Sequence, residues 1–356
     1  MTGMHSLPAA YSGRRVFLTG HTGFKGSWLA LWLARMGARV TGYALAPSTV
    51  PSMFELADVK STLERHIVAD IRDAATLATA MREASPEVVF HLAAQPLVRL
   101  SYREPAATWS TNVMGTVHVL EAVRACPSVK AVVIVTTDKC YENREWLWGY
   151  RENDPLGGND PYSASKAATE LATQSYRKSF FTSGGPLLAS ARAGNVIGGG
   201  DWSEDRLIPD AARSVASHRP LLIRNPEATR PWQHVLESLH GYLLLASRLL
   251  AGDTTLADAF NFGPDAADNV SVASVLTRLQ GHWPELQWQL ETQTAAPHEA
   301  RFLYLDSSKA RRLLDWAPVW NLETGLEKTA HWYRTVQQHP SAARAITEQQ
   351  LDQFCS

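Results

Sequence analysis

The chain has 356 residues, which is long for a single hydrophobic core and favours two lobes. Apolar residues make up 45% and charged residues 19%, and a formal charge of −1 supplies no field that would hold a nucleic acid or an anionic membrane. The three cysteines lack metal-ligand spacing, so we expect reduced thiols, no metal centre and a cytoplasmic location.

The first segment, residues 1–13, is interpreted as a flexible leader. It has no basic region followed by an apolar stretch, so it does not have the pattern of a secretory signal. No later apolar run approaches the length of a membrane-spanning helix.

Residues 14–194 alternate short β-branched runs with longer helical patterns, which predicts an α/β fold with a Rossmann-type, doubly wound parallel sheet. The predicted strands are Arg15–Leu18, Arg39–Tyr43, Glu87–Leu92, Ala131–Thr136 and Leu187–Ala191. The predicted helices include Ser27–Met36, Ala74–Ala84, Pro105–Ala125 and Tyr162–Phe181.

After Gly194 the pattern changes, because glycines, prolines and isolated tryptophans interrupt it. We expect a smaller, irregular C-terminal substrate-binding lobe made of residues 195–230 and 263–356. Residues 231–262 carry a strand–helix–strand pattern and are predicted to return to the main sheet. The 12 tryptophans are interpreted as core and lobe-interface packing.

The turn "TGHTGFKG" follows the first predicted strand and precedes an amphipathic helix. Gly20, Gly23 and Gly26 let the backbone approach a pyrophosphate at the helix N-terminus, so the turn predicts a dinucleotide site rather than an ordinary tight turn. The second strand ends in "VTGYALAP", which has neither the expected ribose-binding acid nor an arginine for a 2′-phosphate. NAD is favoured, and NADP stays open.

"YSASK" places Tyr162 and Lys166 four residues apart on one helix face. An ammonium about 5 Å away favours the phenolate, which predicts that the pKa of Tyr162 is lowered by about two units toward the range of a general base. The alternative is a surface tyrosine beside a surface lysine.

The chain resembles the extended short-chain dehydrogenase/reductase family in "TGHTGFKG", "HLAAQ", "TNVMGT" and "YSASK". The longer strings "AAQPLVRLSY", "DKCYENREWLWGYRE", "RAGNVIGGGDW" and "RPWQHV" are similar to its nucleotide-sugar 4,6-dehydratases. The resemblance implies NAD as cofactor and the nucleotide sugar CDP-glucose as substrate, with cytidine depending on the resemblance alone. It also implies a homodimer or tetramer formed by the helices at 105–125 and 162–181.

The resemblance also implies the binding residues. Those for the cofactor are Gly20, Thr22, Gly23, Phe24, Lys25, Gly26, Asp70, Ile71, Ala93, Ala94, Gln95, Asn112, Tyr162 and Lys166. Those for the nucleotide sugar are Arg99, Tyr102, Asn195, Arg206, Arg224, Arg230 and His298, since guanidinium groups suit pyrophosphate oxygens. Trp146 and Trp148 are interpreted either as part of a lid or as plain packing.

Thr137, Asp138 and Lys139 end the fifth strand, and the resemblance implies that they are catalytic. In the implied reaction, oxidation of C4 acidifies the hydrogen on C5, after which water leaves from C5 and C6. Tyr162 takes the proton of the 4-hydroxyl with Lys166 beside it, and Thr137 hydrogen-bonds the sugar. Asp138 is assigned as the acid for the leaving hydroxyl and Lys139 as the base for C5, although this division of roles stays open.

Three other functions stay open. One is an epimerase, a decarboxylase or a dehydratase of another nucleotide sugar, the second is a non-catalytic dinucleotide-binding protein, and the third is a purely structural module. Asp138 and Lys139 could also be a solvated ion pair on a loop.

Overall fold

The computed structural model describes residues 2–182, 184–291 and 302–356. Its strands are β1 (Arg15–Thr19), β2 (Arg39–Ala44), β3 (Arg65–Val68), β4 (Val88–His91), β5 (Ala131–Val135), β6 (Leu187–Ala193), β7 (Val196–Ile197), β8 (Leu221–Ile223), β9 (Thr229–Pro231), β10 (Gln233–His234), β11 (Ala259–Phe262), β12 (Asn269–Ser271) and β13 (Trp288–Leu290). Its helices are α1 (Thr2–Tyr11), α2 (Phe24–Arg35), α3 (Met53–Leu56), α4 (Ala74–Ala84), α5 (Val98–Arg103), α6 (Pro105–Trp109), α7 (Gly115–Arg124), α8 (Pro161–Ser179), α9 (Leu207–Ala216), α10 (Val235–Leu250), α11 (Val272–His282), α12 (Ser308–Leu314), α13 (Leu322–Gln338) and α14 (Ala343–Cys355).

Within the described residues, seven parallel strands form the central sheet in the order β11-β6-β5-β4-β1-β2-β3. The predicted doubly wound parallel sheet is therefore confirmed. The strand order reverses between β1 and β4, and ligands of such sheets bind outside the carboxyl ends of the strands at this point. The edge strand β11 comes from the segment that was expected to return to the sheet.

Alternating side chains bury both faces of the sheet. In β1, Val16 and Leu18 pack into the core that includes α2 and α10, whereas Phe17 packs into the core that includes α4 and α7. β5 divides its valines in the same way, with Val133 on the first face and Val132 on the second. Burial on both faces explains why the strands are apolar runs instead of alternating patterns.

Outside the central sheet, the C-terminal part of the chain forms short strand pairs and the helices α9 and α11–α14. The pairs are β7 with β10, β8 with β13 and β9 with β12. Trp283, Trp316 and Trp332 are fully buried in the same core as Val16 of β1 and Trp28 of α2, as the packing interpretation of the tryptophans expects. No helix in the part of the chain that the structure describes is long and apolar enough to cross a membrane.

The N-terminal segment differs from the flexible leader that was expected. Residues Thr2–Tyr11 form α1, in which Leu7 and Tyr11 are buried one turn apart. The Tyr11 hydroxyl donates a hydrogen bond of 2.7 Å to the carbonyl oxygen of Leu243 in α10. The leader prediction is wrong because two large apolar side chains at helical spacing dock this segment on the core.

The predicted helix over Pro105–Ala125 is interrupted. A π-helical turn at Ser110–Met114 lies between α6 and α7, and it contains the buried side chain of Asn112. Such a wide turn re-aims the side chains that it carries, and π-turns are frequent at functional sites.

Candidate active site

The glycine-rich turn joins β1 to α2 at the carboxyl end of the sheet. Gly20 has a φ of +78°, and a Cβ atom there would lie 2.7 Å from the backbone nitrogen of Ala93. A Cβ atom on Gly26 would lie 2.1 Å from the carbonyl oxygen of Gly20, whereas the nearest atom to one on Gly23 would be 3.5 Å away. The packing therefore requires two of the three glycines. The first N–H groups of α2 face the turn and form a cradle for a pyrophosphate.

The segment that directly follows β2, where such folds carry an acid that binds the adenosine ribose, contains no acidic residue in this chain. β2 ends at Ala44, and the Thr22 hydroxyl donates a hydrogen bond of 2.8 Å to the carbonyl oxygen of Leu45. Asp70 follows β3 and accepts hydrogen bonds of 2.8 Å from the backbone and guanidinium of Arg72, which lower the pKa of its carboxyl. Ile71 beside it is buried. Arg72 was not singled out from the sequence, and it already engages Asp70.

The loop after β4 contains Ala93, Ala94 and Gln95 and is fixed by Asn112. The Asn112 side-chain oxygen accepts from the backbone nitrogen of Gln95 at 2.8 Å, and its nitrogen donates to the Gln95 carbonyl oxygen at 3.1 Å and to the Ser165 hydroxyl at 2.9 Å. Asn112 was expected to bind the cofactor directly. In the structure its amide ties this loop to α8, and its contact with the cofactor stays a prediction.

The acid–base pair lies in a short 3₁₀ turn directly after β5. The Thr137 hydroxyl donates to one oxygen of Asp138 at 2.9 Å, and the Lys139 ammonium lies 3.6 Å from the same oxygen. The Lys139 ammonium also lies 3.5 Å from the side-chain oxygen of Asn195, which places Asn195 beside this pair. The Asp138 side chain is fully buried and that of Lys139 is 31% exposed, so Lys139 is the more accessible group.

The second oxygen of Asp138 is buried and has no hydrogen-bond partner among the described residues. A Cβ atom on Gly194 would lie 3.0 Å from it, so the glycine at the end of β6 leaves room at this oxygen. Buried carboxyl oxygens are normally hydrogen-bonded. This oxygen is therefore a candidate contact for a ligand hydroxyl.

Tyr162 and Lys166 lie in the first turns of α8. Asp160 caps the helix by accepting a hydrogen bond of 2.9 Å from the backbone of Ser163, and this cap fixes where the helix begins. Both side chains are buried, so the reading as a surface pair is wrong. The Lys166 ammonium donates to the carbonyl oxygen of Val135 at 3.3 Å, at the end of β5.

The sequence predicted a lowered pKa for Tyr162, and this direction is wrong for the protein without its cofactor. Burial raises the pKa of Tyr162 to about 12, while a hydrogen bond with Thr137 and the charge of Arg206 oppose the rise. Burial also lowers the pKa of Lys166 to about 8, and the nearby carboxylate of Glu170 opposes that fall. Loss of hydration is the larger effect at both groups, and the sequence spacing does not reveal it.

A buried ion pair that the sequence did not indicate supports Lys166. Arg192 donates to Glu170 at 2.8 Å, and both side chains are less than 5% exposed. Glu170 also accepts hydrogen bonds from Ser190, at 2.7 Å, and from Thr136. Glu170 stands four residues after Lys166, and residues at this spacing lie on the same face of a helix. The sequence could therefore have predicted that Glu170 lies next to Lys166.

The same arginine fixes the insertion between the acid–base pair and α8. Arg192 donates to the Tyr141 hydroxyl at 2.7 Å, and Tyr141 stacks on Tyr150. Trp146 stacks on Tyr150 with its ring centroid at 5.5 Å, whereas Trp148 is 61% exposed. Trp146 is thus packed within the insertion.

Two of the predicted substrate arginines lie near one another. Arg206 pairs with the buried Asp201 at 2.9 Å, and Arg99 pairs at 2.9 Å with Asp205, the residue preceding Arg206. The charge of Arg206 also lowers the pKa of Tyr162, against the larger rise that burial causes, so Arg206 is a candidate neighbour of that hydroxyl.

The remaining predicted substrate residues are more dispersed. Arg224 pairs with Glu291 at 3.3 Å, between β8 and the end of β13. Arg230 is buried in β9 and donates to the carbonyl oxygen of the preceding residue at 2.8 Å. Tyr102 on α5 is 48% exposed. His298 lies outside the described residues.

The family model described as GDP-mannose 4,6 dehydratase matches residues 17–329. The chain belongs to this family. The resemblance to the short-chain dehydrogenase/reductases that act as dehydratases and epimerases is thereby confirmed. A curated member, CDP-glucose 4,6-dehydratase of Salmonella typhimurium, is 52% identical over 330 residues, which cover 91% of each chain.

Other relatives are less similar in sequence, and solved structures with low identity share the fold. The dTDP-glucose 4,6-dehydratase of Xanthomonas campestris is 27% identical over 90% of this chain and 93% of its own. Among solved structures, the epimerase Mth375 of Methanothermobacter thermautotrophicus has a TM-score of 0.80 at 24% identity, over 96% of this chain and 97% of its own. The dTDP-glucose 4,6-dehydratase DesIV of Streptomyces venezuelae, solved with NAD bound, has a TM-score of 0.76 at 24% identity, over 91% of this chain and 98% of its own.

Proposed function

We propose that this family member is a CDP-glucose 4,6-dehydratase, an NAD-dependent hydro-lyase that forms CDP-4-dehydro-6-deoxy-D-glucose and water. The observation that carries the proposal is the pair Asp138–Lys139, with its charged atoms 3.6 Å apart, beside the buried Tyr162 and Lys166. An elimination of water needs an acid and a base in addition to the hydroxyl base of a dehydrogenase. The 52% identity to a CDP-glucose 4,6-dehydratase supports cytidine as the nucleotide.

The residues of the glycine turn fit NAD. A side chain at Gly20 or Gly26 would collide with backbone, so these glycines allow the tight turn that dinucleotide-binding folds place against a pyrophosphate. Asp70, held by Arg72, lies on the side where the adenosine would bind. Bound NAD supplies the redox chemistry, in which a hydride is taken from C4 of the hexose and later returned at C6.

The protein groups divide the proton transfers. Tyr162 takes the proton of the 4-hydroxyl, and the ammonium of Lys166 and the guanidinium of Arg206 stabilise its phenolate. Lys139, the accessible member of the pair, removes the proton from C5. The unpartnered oxygen of Asp138 meets the C6 hydroxyl and protonates it as it leaves. Thr137 orients Asp138 through its hydrogen bond of 2.9 Å.

The substrate's nucleoside diphosphate is assigned to the smaller lobe. Arg206 and the buried Arg230 lie in this lobe, and Arg99, which lies on α5 outside it, pairs with Asp205 beside Arg206. Guanidinium groups match pyrophosphate oxygens in pairs, which supports this assignment.

We also propose that the protein is a homo-oligomer in the cytoplasm. Large apolar side chains are exposed on neighbouring faces of α6, its π-turn and α8: Trp109 is 41%, Met114 47% and Leu171 55% exposed. Exposed apolar groups on adjacent helices favour pairing with a second copy. The three free cysteines suit a reducing compartment.

The test offers CDP-, UDP-, GDP- and dTDP-glucose to the purified protein and measures the alkaline absorbance of a 4-keto-6-deoxy product. CDP-glucose is expected to be converted fastest, and Tyr162→Phe, which removes one hydroxyl, serves as the inactive control. A product that keeps its C6 hydroxyl would instead indicate an epimerase. Faster conversion of another nucleotide sugar would refute the assignment of cytidine.

A further inference from the structure

Tyr141 carries a buried hydroxyl that joins the acid–base turn after β5 to two strands of the central sheet. It stands two residues after Lys139 and is fully buried. Its hydroxyl lies 2.7 Å from the guanidinium of Arg192 and 2.7 Å from the side-chain oxygen of Asn261. Arg192 in β6 and Asn261 in β11 are register partners on neighbouring strands. The Tyr141 side chain therefore ends between these two strands.

The direction of both hydrogen bonds is fixed by the partners. A guanidinium can only donate, so the Tyr141 hydroxyl accepts from Arg192 and directs its own hydrogen at Asn261. The amide nitrogen of Asn261 donates to the carbonyl oxygens of Tyr150, at 2.9 Å, and Asp306, at 3.1 Å. This leaves the amide oxygen as the acceptor for the tyrosine hydroxyl. A buried hydroxyl that is used in both directions holds its ring in one place.

The acid–base turn is thereby attached to β6 at both of its ends. Before the turn, the backbone nitrogen of Thr136 donates to the carbonyl oxygen of Ala191 at 2.9 Å. After the turn, the Tyr141 hydroxyl meets the next residue of that strand, Arg192. Lys139 lies between the two attachments, so its backbone position depends on both.

The side chain of Lys139 depends on this backbone because its polar contacts are long. Within the described residues, its ammonium lies 3.6 Å from Asp138 and 3.5 Å from the side-chain oxygen of Asn195. Both distances exceed those of ordinary hydrogen bonds. Tyr162 and Lys166 belong instead to α8, so a different element sets their positions.

We infer that Tyr141 is a positioning residue for the elimination of water: its hydroxyl holds the turn that presents Lys139 to the hydrogen on C5. The inference rests on the proposed dehydratase function, in which Lys139 takes that proton and Asp138 protonates the leaving hydroxyl. Oxidation of C4 comes first and uses Tyr162 on α8 together with the cofactor. Loss of the Tyr141 hydroxyl should therefore slow the elimination more than the oxidation that precedes it.

The test compares these two steps in Tyr141→Phe, which keeps the ring that packs with Ala167 of α8 and stacks on Tyr150. The full chain with its cofactor bound is mixed with CDP-glucose, and absorbance at 340 nm is followed through one turnover. The rise reports oxidation of C4, and the fall reports return of the hydride after water has left. The variant should slow the fall about tenfold to a hundredfold, the loss that a misplacement of about 1 Å causes, and should leave the rise within about twofold. Deuterium on C5 should also slow the variant more than the wild type, because removal of that hydrogen becomes rate-limiting.

Two further variants support the measurement. Tyr11→Phe is the matched control, because it also removes a buried tyrosine hydroxyl with a hydrogen bond of 2.7 Å, but in α1. It should leave both phases at the wild-type rates. Asn261→Ala removes the acceptor on β11 and should slow the fall as Tyr141→Phe does, so it replaces that variant if Tyr141→Phe does not fold.

Wild-type rates in both phases of folded Tyr141→Phe would overturn the inference. Equal slowing of the rise and the fall would overturn it too, because it would indicate a general loosening of the site. A slowed fall in Tyr11→Phe would show that the effect is not specific to the turn and would have the same consequence. A wild-type protein that shows no change at 340 nm and forms no 4-keto-6-deoxy product would instead refute the proposed function.

Discussion

Replacing Glu170 by glutamine removes the carboxylate that lies one helical turn from Lys166. Residues four apart on a helix lie about 6 Å apart, and at an effective dielectric constant of about 20 their charges interact by about 3 kcal/mol, or about two pKa units. Glu170 raises the pKa of Lys166 against a larger lowering by burial, with a net value of about 8. Its loss should therefore lower this pKa further. In the proposed mechanism Lys166 acts as a cation, so activity should be present below its pKa and lost above it.

The assay is the pH dependence of kcat/KM, measured by product absorbance. Glu170→Gln should move the alkaline limb down by roughly two pH units. The single variant also leaves the buried Arg192 without its ion-pair partner, which costs about 3–5 kcal/mol in the free energy of unfolding. The double variant Glu170→Gln with Arg192→Met removes both charges and should restore that stability. The double variant should keep the low alkaline limb. An alkaline limb at the wild-type pH in both folded variants would refute the role of Glu170.

Three further outcomes are expected. Gly26→Ala places a Cβ atom 2.1 Å from a backbone oxygen and should abolish NAD binding measured by titration. The control Gly281→Ala, whose Cβ atom would have no neighbour within 4 Å, should bind NAD normally. Equal binding by the two variants would contradict the role of the turn. Lys139→Met should stop exchange of the C5 proton with solvent while reduced cofactor still accumulates at 340 nm, and undiminished exchange would exclude it as the base. Tyr11→Phe should lower the unfolding free energy by about 1 kcal/mol in urea titrations, because a buried 2.7 Å hydrogen bond is lost; no change would mean that α1 contributes little.

The parallel sheet and the glycine turn were predictable because they depend on local patterns. Apolar runs bounded by helical segments indicate buried parallel strands wherever they occur. The chain order of these runs brings β1, β4 and β5 side by side, so the residues that follow them meet at one edge. Asp138 and Lys139 could for this reason be expected at that edge, whereas their grouping with Tyr162 was implied by the family resemblance.

The electrostatics of the site depend on burial and on contacts distant in sequence. Arg192 reaches Glu170 from a neighbouring strand, 22 residues away, and no local pattern records that pairing. The pKa of Tyr162 depends more on lost hydration than on the nearby ammonium, so the spacing alone predicted the wrong direction. Asn112 likewise required the π-turn to be known, because that turn directs its amide at the loop after β4.

The central claim is that one cofactor oxidises C4 and then reduces C6 of the same sugar. The most direct measurement uses CDP-glucose carrying deuterium on C4 and follows the label in the product by NMR. Intramolecular transfer predicts that the deuterium appears on C6, with no exchange into water. Deuterium that remains on C4, or that is lost to solvent, would contradict the proposed dehydration.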